Sequence, residues 1–199
     1  MSVVLVDAGG ANIGSVRYAL QRLGVEAALT SDAEAIRRAD RVILPGVGAA
    51  APAMARLRDL RLVEVLRGLT QPVLGVCLGM QLLCRHSEEG DVDCLGLIDT
   101  PVRRLRGTRA VRIPHMGWNR ATACVVHPLL AGDAGDGWAY FVHSYAVPVG
   151  AATLAVCEHG EVFSAAIGQG NFMGVQYHPE RSAAMGIAVL GNFLGRAPA

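Results

Sequence analysis

Residues 72 to 83 read Pro72-Val73-Leu74-Gly75-Val76-Cys77-Leu78-Gly79-Met80-Gln81-Leu82-Leu83, and this stretch decides the fold. An apolar run over 72 to 76 passes without a loop into a helical pattern over 78 to 86, so Cys77 falls at a strand-to-helix turn. Such a joint is the repeating unit of a βαβ chain. Gly75 and Gly79 flank the cysteine, where any side chain would collide as strand and helix close on each other. The turn residue is thereby forced towards a strained backbone conformation.

Outward from this joint, the first half repeats the alternation: strand-like 2 to 7, helix-like 12 to 23, strand-like 25 to 29 and 41 to 45, helix-like 49 to 67. That order predicts right-handed crossovers around a parallel sheet. Asn12 suits the N-cap of the first helix, Gly24 and Gly68 stand where C′ glycines end helices, and Pro52 lies early in the long helix. The second half differs, with strands expected at 110 to 113, 138 to 143, 152 to 157, 162 to 167 and 172 to 176. Cys157-Glu158-His159-Gly160-Glu161 reads as a hairpin turn. A closing helix of about 182 to 194 starts at Ser182 as N-cap and carries Met185, Val189, Leu190 and Phe193 on one face. The whole reads as a single α/β domain over 1 to 199, its mainly parallel sheet flanked by helices and carrying an antiparallel extension.

Composition bounds the partners. A chain of 199 residues buries roughly 70% of its unfolded surface. Lys plus Arg number 18 against 17 acidic residues, so the net charge of +1 gives no electrostatic reason to expect nucleic acid or an anionic membrane surface. The densest basic stretch, Arg103-Arg104-Leu105-Arg106 with Arg109 and Arg112, reads as a solvated loop or a partner-facing surface. No run approaches the ~20 apolar residues of a membrane span. The start, Met1-Ser2-Val3-Val4-Leu5-Val6-Asp7, reads as a first strand rather than a signal peptide, so a cytoplasmic protein is expected. Five cysteines form no Cys-x-x-Cys pair and are odd in number, which argues for free thiols and against a zinc site or a disulfide framework. Neither a metal nor a cofactor is expected.

The chemistry gathers around Cys77. The partial positive charge of a helix N-terminus favours thiolate over thiol, and the Leu78 N–H faces the place where an oxyanion would form. A base is available in Gly174-Val175-Gln176-Tyr177-His178-Pro179-Glu180, where Pro179 disfavours the helical region at His178 and sets Glu180 beside the imidazole. A third element, Leu44-Pro45-Gly46-Val47-Gly48, ends a strand with two glycines that let backbone N–H groups point at a ligand, a second oxyanion donor. Taken singly, each has an ordinary explanation: a buried cysteine at a βα turn, a capped loop histidine with a first-turn carboxylate, and a tight turn. Together they read as a thiol nucleophile with base, acid and oxyanion hole.

At this point the three segments resemble those of the class I, or triad, glutamine amidotransferases, whose fold is flavodoxin-like. Pro114-His115-Met116-Gly117-Trp118-Asn119 and Tyr140-Phe141-Val142-His143-Ser144-Tyr145, with Asp7 to Asn12 and Ser87-Glu88-Glu89-Gly90, are similar within that class to the glutaminase subunits of imidazole glycerol phosphate synthase. The resemblance implies that Cys77 attacks the side-chain amide of glutamine, that ammonia leaves with a proton from His178 steadied by Glu180, and that water hydrolyses the thioester. It further implies oxyanion donors at Leu78, Val47 and Gly48, and substrate contacts at Gly46, Gln81, His143, Ser144 and Tyr145. The ammonia would pass to a separate cyclase subunit, making imidazole glycerol phosphate and aminoimidazole carboxamide ribotide in histidine biosynthesis. The length leaves no room for a synthase domain of ~200 residues, so a heterodimer is expected, touching Asn12, Met116, Trp118, Asn119 and Arg181. Departures from the family pattern are Ala8, Ala11 and Arg181, which bear on the interface.

Other readings stay open. The chain could serve a different pathway, such as pyridoxal phosphate synthesis, or be a thiol peptidase on a similar sheet, or a module of this fold without turnover. Trp118 is an interface anchor or a core residue. His115 reads as structural or interfacial, and His143 as a substrate neighbour or a hydrogen-bonded strand end. Cys84 reads as core on the helix of Cys77. His86, His127, His159, Cys94, Cys124 and Cys157 are given no function.

Overall fold

The structure, a computed structural model, describes residues 1–8 and 13–195. Their elements run β1 (Val3–Val6), α1 (Ile13–Arg22), β2 (Ala27–Thr30), α2 (Ala33–Arg38), β3 (Arg41–Gly46), α3 (Ala50–Asp59), α4 (Val63–Arg67), β4 (Val73–Cys77) and α5 (Leu78–Leu83). The second half adds β5 (Cys84–Ser87), β6 (Val92–Asp93), β7 (Ile98–Arg104), β8 (His115–Ala123), β9 (Asp136–His143), β10 (Tyr145–Pro148), β11 (Thr153–His159), β12 (Glu161–Gln169), β13 (Phe172–Val175) and α6 (Ala183–Phe193).

The first strand shows why the sheet is central. All four residues of Val3-Val4-Leu5-Val6 are buried, and because successive side chains point to opposite faces, the strand feeds two cores. Val3 and Leu5 join α1 and α6 on one side; Val4 and Val6 join α2, α3 and α4 on the other. The parallel part has the order β2-β1-β3-β4-β13, a doubly wound flavodoxin-like arrangement. Beyond it the sheet turns antiparallel through β12 and β10 to β7, and ends in β5 and β6. A branch of antiparallel strands, β11, β8 and β9, leaves β12 and folds back over one face. The parallel sheet, the flanking helices and the antiparallel extension all match the sequence expectation.

Several boundaries differ, each for a visible reason. The expected helix 49 to 67 is broken at Leu60-Arg61-Leu62. Arg61 takes φ 55, its N–H bonds Arg58 O at 2.9 Å and the Leu62 N–H bonds Leu57 O at 2.9 Å, a Schellman stop made without glycine. Gly68, expected as a left-handed stop, has φ −86, whereas Gly24 takes φ 71 as expected. The expected helix 78 to 86 stops at Leu83, because its last carbonyls are taken from outside. Leu95, Gly96 and Leu97 donate to Leu82, Cys84 and Leu83 at 2.9, 2.8 and 2.9 Å, and Cys84 opens a strand.

The strand expected at 110 to 113 is a turn, in which the Thr108 hydroxyl accepts from Ala110 and Val111 at 3.2 and 3.1 Å. The strands of this region are β7 and β8 on either side of it. The elements α2, β6 and β10 also escaped the pattern. Short α2 rests on the Asp32 cap, which accepts from Ala35 N at 2.7 Å, and β10 has only four residues. The hairpin is present, with His159 opposite Glu161 and Gly160 at φ 77 between them. Asn12 lies outside the described residues, and among these no helix is long and apolar enough to cross a membrane.

Candidate active site

Three neighbouring parallel strands end at one edge of the sheet, and the site is built where they stop. Gly46 at the end of β3 pairs with Cys77 at the end of β4, and Val175 of β13 pairs with Val76. Strand ends of this kind are where α/β folds place their ligands. Cys77 has φ 54 and ψ −111, a backbone conformation an L-residue adopts only when its surroundings impose it. The glycines supply those surroundings. A methyl on Gly79 would overlap the Leu44 carbonyl, and one on Gly75 would stand 2.6 Å from Gly79 O. A methyl on Gly46 would likewise stand 2.6 Å from Gly79 N, so this glycine packs against the elbow.

His178 is fixed on three sides. Its φ of −93 and ψ of 98 are the extended values a following proline favours. Its N–H donates to Tyr140 O at 2.9 Å. The Ser182 hydroxyl donates to His178 O at 2.6 Å and accepts from Tyr140 N at 3.0 Å. Ser182 is the N-cap residue of α6 as expected, but its side chain makes no cap bond to the helix and instead rivets the histidine loop to β9. The imidazole Nδ1 stands 3.0 Å from Glu180 Oε1, and the other ring nitrogen is left to hydrogen-bond Cys77. Burial works against charge on this ring, but the bonds to Cys77 and Glu180 outweigh it and raise its pKa to about 10. The imidazole is thus the hydrogen-bond partner of the Cys77 sulfur. The other buried thiols lack such a partner: burial pushes Cys84 up, Cys94 to about 11 and Cys157 to about 12.

A narrow slot of about 50 Å³ opens on the sulfur. It is lined by Gly48, Leu78, Gln81, Glu89 and Val142 to Tyr145. The slot thus brings together Cys77, Leu78, Gly48, Gln81, His143, Ser144 and Tyr145 from the sequence reading, while Gly46 and Val47 are not in its lining. Gly48 has φ 96, a value that suits glycine alone. The first N–H groups of α5 have no intrahelical partner, so the Leu78 N–H is available to an anion. Gln81 Nε2 donates to Tyr145 O at 2.8 Å and to Gln176 Oε1 at 2.9 Å, and Gln176 Nε2 stands 3.7 Å from the Cys77 sulfur.

Glu89 is a residue sequence reasoning missed as a ligand contact, although Ser87-Glu88-Glu89-Gly90 had carried part of the resemblance. Its Oε2 accepts from Ala50 N at 3.0 Å, and burial raises its pKa. A carboxylate in a slot this small fits the ammonium end of an amino-acid ligand.

The residues expected at an interface separate by strand parity. On β8, Met116 and Trp118 point outward and are 63% and 51% exposed, opposite Val142 and Tyr140 of β9. Arg181 lies over the Tyr140 ring at 5.0 Å. Trp118 is therefore a surface residue. Asn119 faces inward: its Nδ2 bonds His115 Nε2 at 3.2 Å and Glu158 O at 2.8 Å, so its side chain serves the fold. Among the described residues no group of three or more His, Cys, Asp or Glu is arranged to hold a metal ion.

A thiol at a strained strand-to-helix turn, an imidazole carried by a carboxylate, and unpaired helical N–H groups are the equipment of a triad enzyme that works through an acyl-thioester. The family model of class-I glutamine amidotransferases matches residues 4–196. The chain is 58% identical over 192 residues to the imidazole glycerol phosphate synthase subunit HisH of Xylella fastidiosa (strain Temecula1), with 96% of each covered. It is 56% identical over 192 residues to the subunit of that name from Xanthomonas campestris pv. campestris (strain 8004), again with 96% of each covered. Among solved structures, one described as a glutamine amidotransferase superposes with a TM-score of 0.75 at 19% identity, over 98% of both chains, which speaks to the fold. The chain belongs to the class-I glutamine amidotransferase family, and within it to the HisH subunits of imidazole glycerol phosphate synthase.

Proposed function

We propose that this chain is the glutaminase subunit of imidazole glycerol phosphate synthase, hydrolysing glutamine at Cys77 and passing the ammonia to a cyclase subunit in histidine biosynthesis. The observation that carries the chemistry is the Cys77 elbow at φ 54 beside an imidazole held 3.0 Å from Glu180. Glutamine enters with its side-chain amide towards the sulfur, its ammonium met by Glu89 and its remaining polar groups by Gln81 and the Ser144-Tyr145 backbone. Cys77 Sγ attacks the amide carbon, and negative charge on the oxygen is met by N–H groups of Leu78 and of the Val47-Gly48 turn. His178 gives its proton to the departing nitrogen, which leaves as ammonia. The imidazole then takes a proton from water, whose oxygen attacks the thioester and releases glutamate. Glu180 holds the ring in one tautomer throughout. The balance is glutamine and water to glutamate and ammonia.

We read the whole chain as one amidotransferase domain. The outward face of β8 and β9, with Met116, Trp118, Tyr140 and Arg181, supports a docking surface for the cyclase: exposed aromatics beside an arginine are the composition of interface anchors. Five free thiols suit a reducing compartment, and we assign the protein to the cytoplasm. The test is synthesis of imidazole glycerol phosphate by the reconstituted pair. Cys77→Ala abolishes the glutamine-dependent reaction and leaves the ammonia-dependent one intact. Loss of both places Cys77 in the fold or the interface instead.

A further inference from the structure

Behind the slot, hydrogen bonds run from β8 to the nucleophile, and their polarity is fixed from both ends. At the outer end Asn119 Oδ1 accepts from Arg120 N at 2.8 Å while Nδ2 donates to Glu158 O at 2.8 Å, so its amide orientation is set. The same Nδ2 reaches His115 Nε2 at 3.2 Å, which must accept, so a neutral His115 carries its proton on Nδ1. At the inner end His143 Nδ1 lies 2.9 Å from Tyr145 O, and a carbonyl only accepts, so this proton is on Nδ1 as well. The two rings meet at 3.0 Å, His115 Nδ1 to His143 Nε2, with one proton between them. Both ends demand the same direction, and the middle bond agrees with it. A second proton on His143 would set N–H against N–H, and one on His115 Nε2 would face the Asn119 amide donor.

We propose that His115 and His143 form a positioning pair that stays neutral and sets the wall of the glutamine slot through the Tyr145 carbonyl. That carbonyl receives His143 Nδ1–H and Gln81 Nε2–H, so both of its lone pairs are used. Gln81 then offers its second N–H to Gln176 Oε1, which leaves the Gln176 amide nitrogen turned to the Cys77 sulfur. Were His143 to take the other tautomer, an Nδ1 lone pair would face the Tyr145 oxygen and the wall would lose its anchor. His115 prevents this by donating to Nε2. Stacking holds its ring in place, 4.8 Å from Phe141 and 4.0 Å from His159 by centroids. The titratable groups facing the pair are His159 from β11 and His178 from the loop after β13. Burial lowers both members, His115 to about 3 and His143 to about 4, in keeping with their neutrality. Because β8 is in on one parity and out on the other, the strand that presents Met116 and Trp118 to solvent also holds His115, and its partner β9 holds His143.

The effect on turnover rests on the glutaminase reading; the tautomers do not, so the two are measured separately. In ¹⁵N-labelled full-length protein, imidazole correlation spectra at pH 7 and pH 5 are expected to show both histidines neutral with Nδ1–H. An Nε2–H tautomer, or an imidazolium at either pH, overturns the pair. In glutamine hydrolysis with the cyclase present, His115→Phe keeps the ring stack and removes the donor. It is expected to lower kcat/KM about tenfold, mainly through KM, the loss of about one buried hydrogen bond. A new acid limb with an apparent pKa above about 5 should accompany it as His143 becomes free to protonate. His115→Asn, which returns an N–H near the Nδ1 position, restores most of the loss. Unchanged KM and pH profile in His115→Phe, or equal impairment in both variants, makes the residue a packing element only. If His115→Phe does not fold, the spectra and His115→Asn decide.

Discussion

Gly79 shows how little freedom the elbow leaves. Its missing Cβ is where the Leu44 carbonyl of β3 passes, so helix and strand touch backbone to backbone under Cys77. Gly79→Ala must push α5 off β3, at a cost of about 3 kcal/mol or more, read as a lowered urea midpoint together with lost turnover. Gly150→Ala is the control, since nothing lies within 4 Å of its added methyl; its stability should stay within about 0.5 kcal/mol. An outcome in which both variants behave alike removes steric closure as the reason for the glycine. A second residue-scale consequence concerns Glu89, which lines the slot and is the proposed partner of the ligand's ammonium. Glu89→Gln should raise KM for glutamine about tenfold or more while kcat changes much less, as expected when a part-buried partner of an ammonium is neutralised. A fall in kcat at constant KM would place Glu89 in the chemistry instead. The triad was legible in sequence because its spacing is local: an elbow of five residues, and a histidine two positions before its acid. Glu89 and the histidine pair were not, since their partners stand 39 and 28 positions away.

At the scale of elements, the sequence was readable wherever burial repeats with a fixed period. β1, β3 and β4 are apolar on both faces, as parallel strands between two helix layers must be, and α6 carries its buried face as expected. Legibility failed where tertiary contacts override the period. α5 has the pattern to continue past Leu83, but the 95 to 97 segment captures the carbonyls it would need. β8 was invisible for another reason: its inward side chains include His115 and Asn119, so the buried face is not hydrophobic and no apolar alternation marks it. The break between α3 and α4 was hidden because its left-handed stop is an arginine where a glycine would have announced it. That substitution has a cost, since an L-residue in the left-handed region is strained by about 1–2 kcal/mol. Part of this is offset in Arg61→Gly by the extra freedom glycine gives the unfolded chain, so the variant should gain up to about 1 kcal/mol in urea unfolding, with turnover unchanged. A loss of stability would mean that the Arg61 side chain contributes more than its backbone costs.

For the whole molecule, the histidines set a stability optimum with two limbs of different origin. His115 and His143 are held below the ordinary 6.5, at about 3 and about 4, by burial. Below pH 6.5 the unfolded chain binds these protons and the folded chain does not, so stability falls as pH drops towards 4, by about 1.4 kcal/mol per unit for each ring. His127, lowered by burial, acts in the same direction; Glu89, raised by burial, opposes it at the acid end. His178 has the opposite sign. Its pKa is raised from 6.5 to about 10, so its contribution is fully present below 6.5 and is lost as pH climbs from 6.5 to about 10. The sum is a maximum near pH 6.5, measurable as urea midpoints at pH 5, 6.5 and 8.5. His178→Asn should flatten the alkaline limb and leave the acid limb in place. His115→Phe should do the reverse, and by more than one proton's worth, because it removes its own ring and lets His143 titrate closer to its ordinary value. A midpoint that rises steadily to pH 8.5 would contradict the His178 assignment. An acid limb unchanged in His115→Phe would mean that the two rings do not act as a pair.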